Sequence, residues 1–151
     1  MHAILVALHS YNRYLLLVAL LFVLFRSLSG WVGNKPFGKA DDTASIALLG
    51  LTHLQALLGL IMYFFTSPYT TSGLPMSDTW VRYFKAEHIA AMLIAVILVQ
   101  LGRTLSKKAT TDTDKHRKLA IYTSIATLII FGTLAMKGLL VSNMAAITGG
   151  Q

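Results

Sequence analysis

The chain contains no cysteine. That excludes disulfides, thiolate metal sites, iron–sulfur clusters and thioether-linked haem. Charge is scarce: 13% of the 151 residues are charged, against about a quarter in a soluble domain. Acidic residues are scarcest, with six Asp and Glu against 13 Lys and Arg, for a net charge of +7. Glu87 is the one carboxylate that falls within an apolar run. A proton-coupled transporter calls for carboxylates at mid-depth, so that class is disfavoured. There is no glycine-rich phosphate loop, no HExxH and no nucleophile elbow, which argues against a self-contained hydrolase. What remains abundant is apolar surface, at 55% of the residues. Length and composition together describe one domain, 1–151, of an integral membrane protein. The N-terminus has neither a basic n-region nor a small-residue cleavage site, so its apolar segment is expected to be retained.

Crossing a bilayer takes about 20 mostly apolar residues. Four runs meet that demand, at about 4–28, 43–66, 79–103 and 119–141. Thr43 is a plausible N-cap for the second, with Pro68 just beyond its end, and Ser77 or Asp78 for the third. Backbone groups in lipid must bond within their own segment, so the runs are helices. The expected fold is all-α: four transmembrane helices in an up-down-up-down bundle, with the first and third diagonal and parallel. The segments SGWVGNKPFGKADD (29–42) and TLSKKATTDTDKHRK (104–118) are basic, whereas SPYTTSGLPMSD (67–78) has no Lys or Arg. Basic loops favour the cytoplasmic side, which places both termini on the outer, periplasmic side. The positive charge is therefore a topology signal, aided by anionic lipid, and no nucleic-acid partner is expected.

The stretch WVRYFKAEHIAAMLIAVILVQLGR (80–103) is the unusual one, because ionisable groups crowd its entrance. Such groups need a partner or a task. Counted from the cytoplasmic ends at 1.5 Å per residue, His9 stands roughly 30 Å up, His88 roughly 27 Å and His53 roughly 15 Å. His9 and His88 thus reach similar heights on diagonal helices, which leaves the bundle centre for a flat macrocycle. Bundle interiors often hold haem through histidine, so the pair is the candidate axial ligand set for one non-covalent haem b. Arg13, one turn from His9, and Lys85, one turn from His88, are candidate partners for its propionates. Arg82 and Lys137 read as snorkelling cations, and Glu87 as an ion-pair partner of Lys85 or Arg13. His53 shares a helical stripe with Ile46, Gly50, Ala56 and Leu60. It is a candidate for haem contact, for bonding a quinone, for an interhelical hydrogen bond, or as the alternative iron ligand. Gln55 and Gln100 read as interhelical hydrogen-bonders. Met92 is a weak axial candidate, His116 a solvated residue and His2 an exposed one. The interfacial aromatics are the belt of any membrane bundle.

The pieces HSYNRY (9–14), RSLSGWVGNKPF (26–37), HLQALLGLIMYF (53–64), EHIAAM (87–92) and GRTLSKKATTDTDKHRK (102–118) resemble a family of small four-helix bacterial membrane proteins known as cytochrome B, common in Bacteroidetes-type bacteria. The likeness extends to about Lys118; the fourth helix and the tail after Val141 carry no motif. It implies haem b and electron transfer in the bacterial inner membrane. On this reading the chain is an electron-transfer protein rather than a self-contained enzyme. Its partners are the lipid bilayer, a quinone pool, and other membrane or periplasmic redox subunits of a respiratory complex. The rival readings are a cofactor-free accessory subunit and a haem-handling protein.

Overall fold

The computed structural model describes residues 1–140, and the described residues contain helices and no strand. Helix α1 spans His2–Val32 and α2 spans Lys39–Ile61, running on through a π turn at Met62–Thr66. A short α3, Pro68–Thr71, and a loop lead to α4, Thr79–Arg82. A second π turn, Tyr83–Glu87, joins α4 to α5, His88–Lys108, and α6 covers Asp112–Ala135. Among the described residues, counted through their π turns, four helices are long and apolar enough to cross a membrane. The shortest has 24 residues, which at 1.5 Å each reach roughly 36 Å, enough for a hydrocarbon core of about 30 Å. The fold fits a multi-pass membrane protein.

The helices form a ring in which α1 packs on α2 and α6, and α5 packs on α6 and α2. Helices α1 and α5 are therefore diagonal, and the loosest of the four seams lies between α2 and α5. Leu20, Val23, Leu48, Val99, Ala126 and Ile130 fill the centre. Phe22, Phe25, Leu57, Phe65, Ile97 and Leu128 point outward, as a hydrocarbon solvent permits.

Helix ends differ from the sequence expectation where charges have local partners. Helix α2 starts at Lys39 rather than Thr43, because Asp41 Oδ2 accepts the Gly38 N–H at 2.9 Å and Asp41 Oδ1 pairs with Arg26 at 2.8 Å. The carboxylate satisfies a backbone donor that the helix start would otherwise leave bare. Helix α6 starts at Asp112 rather than 119, with Thr111 Oγ1 accepting the Asp114 N–H at 3.2 Å. The polar run DTDKHRK is thus its first two turns. The far end expected at Val141 lies outside the described residues. Asp78 caps α4 as anticipated, its Oδ1 accepting from Trp80 N and Val81 N at 2.8 and 3.1 Å.

Candidate functional site

One end of the bundle is hollow. A cavity of about 180 Å³ lies among α1, α2 and α5, with the C-terminal part of α6 closing it, and its lining is largely apolar. His9 and Arg13 of α1 and His88 of α5 line it together, as do the small residues Ala56, Gly59 and Ala95. The diagonal helices thus bring both candidate imidazoles to one space, and each lies close enough to feel Arg13's charge.

The turn that carries His9 is pinned to α2 by amides. Gln55 Nε2 donates to the His9 carbonyl at 3.0 Å, and Asn12 Nδ2 donates to Gln55 Oε1 at 2.7 Å and to the Leu51 carbonyl at 3.0 Å. The His9 ring lies over Gly59, where a Cβ would stand 3.3 Å from its Cε1. Glycine here is a matter of room: a larger residue would press on the imidazole. His88 follows the second π turn directly, and its ring is flanked by Tyr83 at 5.4 Å and Phe84 at 5.7 Å between centroids. Tyr83 is fully buried and donates its hydroxyl to the Thr133 carbonyl at 2.8 Å, which anchors this wall on α6. Trp80 and Tyr69 stack on Phe84 at 5.9 and 5.2 Å.

Nδ1 of His9 and Nδ1 of His88 are both buried, with no hydrogen-bond partner among the described residues. A buried polar atom without a partner is costly and rare enough to call for an explanation. Arg13 is buried as well; it donates to the Tyr14 hydroxyl at 3.1 Å and lies over the Tyr14 ring at 4.8 Å.

Two of the expected site residues are not brought to the cavity. His53 is exposed on the outer face of α2, on the same side as the half-exposed Ile46. Of the apolar stripe it shares, Ile46 and Gly50 are exposed with it while Ala56 and Leu60 turn to the cavity, and Ser45, Leu48 and Thr52 are buried. Lys85 does not line the cavity either. It sits inside the π turn, and its carbonyl accepts the Tyr63 hydroxyl at 3.0 Å. Glu87 pairs with Arg82 at 3.0 Å rather than with Lys85 or Arg13, and Lys137 stands over the Trp80 ring at 4.9 Å. Gln100 bonds Thr104 within its own helix at 3.0 Å, not a neighbouring helix. Met92 does line the cavity.

His2, expected to be exposed, is half-buried. His2 lines the mouth, with Nδ1 3.1 Å from Thr66 Oγ1. Its position seven residues before His9, two helical turns, was the available signal.

The opposite end is solid and polar. His116, expected to be solvated, is 2% exposed. Its Nε2 lies 3.3 Å from the Pro36 carbonyl, its ring meets Phe37 at 5.0 Å, and Gly30 of α1 lies against it. Asp41 and Asp42, neighbours on α2, reach different helices: Asp41 pairs with Arg26 of α1 and Asp42 with Arg103 of α5, each at 2.8 Å. All four long helices are tied together at this end.

Among the described residues no three His, Asp or Glu side chains gather as a site for a bare metal ion. Comparison with protein-family models, with curated proteins and with solved structures returned no match.

Proposed function

We propose that the hollow end binds one haem b between His9 and His88, and that the protein carries electrons in the membrane. The observation that carries this reading is the pair itself: two imidazoles from diagonal helices on one apolar cavity, each with a buried nitrogen that no described residue satisfies. The donor set fits the group. Histidine is the commonest protein ligand of this iron in helical bundles, and Arg13 supplies a cation on the same wall. The volume sets a condition. About 180 Å³ is below the 300–1,000 Å³ usual for ligand pockets, so a macrocycle must widen the space, and the loosely packed α2–α5 seam is where the bundle can give. When bound, haem supplies reversible one-electron chemistry; the chain's part is to orient the two rings, exclude water with apolar walls and hold Arg13 beside the site.

The finer assignments follow from charge. Basic residues concentrate in 29–42 and 104–118, which supports a cytoplasmic placement of the tied end and an outward placement of the cavity. We assign the chain to a bacterial inner membrane, exchanging electrons with a quinone pool or with a membrane or periplasmic redox partner. The test is a reduced-minus-oxidised spectrum of the purified protein. We expect b-type bands that are lost in His9→Ala and in His88→Ala and kept in His53→Ala. Protein expressed with ample haem that shows no such bands would instead be a cofactor-free accessory subunit, and loss of the bands in His53→Ala alone would show the ligand pair to be misassigned.

A further inference from the structure

The tied end holds a second, much smaller pocket of about 10 Å³, lined by Arg26 and Ser27 of α1, Asp41 and Ala44 of α2, and His116 of α6 among others. That is the room one water-sized sphere occupies. His116 is buried, and its Nδ1 has no hydrogen-bond partner among the described residues. The partner of Nε2 decides what Nδ1 is. The Pro36 carbonyl can only accept, so Nε2 carries the proton in the 3.3 Å contact. In the neutral ring Nδ1 is then a bare acceptor. The groups around it do not satisfy it. Ser27 gives its hydroxyl proton to the Leu24 carbonyl at 3.1 Å, and the Asp41 carboxylate is itself an acceptor, taken up by Arg26 on one oxygen and the Gly38 N–H on the other. His116 and Asp41, both acceptors toward this space, therefore line it together, His116 Nδ1 takes no hydrogen bond from any described residue, and Asp41 lies within electrostatic reach of the ring.

We propose that this pocket is a binding site for a single water molecule, which donates one proton to His116 Nδ1 and the other to the Asp41 carboxylate. A water can donate to two acceptors that cannot bond each other directly. The space is just large enough for one, and Arg26, Ser27, Asp41 and His116 bring polar groups to a wall that Val23, Ala44 and Leu119 otherwise make apolar. The molecule completes a chain from Arg26 through Asp41 and the water to His116 and on to Pro36. That chain joins α1, α2, α6 and the connection between α1 and α2. His116 is a positioning residue in this joint, and the inference is independent of what the cavity at the other end binds.

Ala44→Val tests it, because its added methyls compete for the pocket. A hydrated pocket loses its water and leaves His116 Nδ1 unsatisfied, so the midpoint of thermal unfolding falls, by about 5 °C. An unchanged or raised midpoint, the response of a dry void being filled, overturns the proposal. The second measurement needs no substitution: ¹⁵N spectra of the full chain labelled at histidine. A His116 ring protonated at Nε2, with Nδ1 in the hydrogen-bonded acceptor range and exchange contact to water, supports the site. A free, unbonded Nδ1 or a ring protonated at Nδ1 refutes it, and this readout decides if Ala44→Val fails to fold.

Discussion

Gly30→Ala should be destabilising for a reason that a second substitution removes. Gly30 lies two residues before the end of α1, and a Cβ built there would stand 2.4 Å from His116 Cε1 and Nδ1 and 2.5 Å from Cδ2. All three atoms belong to one rigid ring, so the ring must move as a whole to clear the contact. The ring has nowhere to retreat, being 2% exposed with Phe37 close by. Overpacking of this kind costs about 1–3 kcal/mol, and displacing the ring from the Pro36 carbonyl adds about 0.5–1.5 kcal/mol. Against that, alanine favours a helix over glycine by up to about 1 kcal/mol. The net expectation is a loss of about 0.5–3.5 kcal/mol in the wild-type background. With His116→Ala in place the clash is gone and only the helix preference remains, so the same Gly30→Ala should be neutral or stabilising. A double-mutant cycle by thermal or denaturant unfolding in detergent, followed by circular dichroism, reads the coupling directly. Equal effects in the two backgrounds, or a Gly30→Ala protein as stable as wild type, would refute the account of His116 as a buried wedge between α1 and the loop.

Two further substitutions probe the hollow end. Gly59→Leu places side-chain bulk where a Cβ already stands 3.3 Å from the His9 ring; we expect haem occupancy, read from the Soret band per protein, to fall at least several-fold while the helical spectrum is retained. Asn12→Ala removes the donor that serves both Gln55 and Leu51; the cost, measured by unfolding in detergent, should be about 1–3 kcal/mol, and Asn12→Asp should not restore it because a carboxylate cannot donate.

Much of the architecture was legible because lipid imposes coarse rules. Four apolar runs, short connections and the absence of mid-helix carboxylates were enough for the helices and for the diagonal placement of α1 and α5. The rise per residue alone put His9 and His88 at similar heights, and both line the one cavity. What was hidden depends on facing rather than depth. His53 lies on an apolar stripe, and in a soluble protein that stripe would be the core. Here the part of it that carries Ile46, Gly50 and His53 is exposed, while Ser45 and Thr52 are buried and Gln55 lines the cavity. His116 was obscured by its neighbours: DTDKHRK reads as a solvated run, yet it is helical and its one histidine is turned inward onto Gly30. Lys85 sits within an irregularity that periodicity cannot express, the π turn.

That irregularity has a consequence for how this protein tolerates change in length. Each residue of an α-helix advances by about 100°, so positions five apart point about 140° away from each other. Tyr83 and His88 are five apart, and their rings meet at 5.4 Å. The π turn at Tyr83–Glu87 acts as a one-residue clutch: it lets the α4 arm and α5 each keep its own angular setting. Losing one residue there would restore a plain α-helix and swing the arm by about 100°, carrying the fully buried Val81 and Tyr83 toward the outside. The partner arm has its own clutch at Met62–Thr66, and the Tyr63 hydroxyl on the Lys85 carbonyl couples the two. Single-residue deletions should therefore be tolerated in the loop at 72–77 and not in either π turn, although both lie at the same end of the molecule.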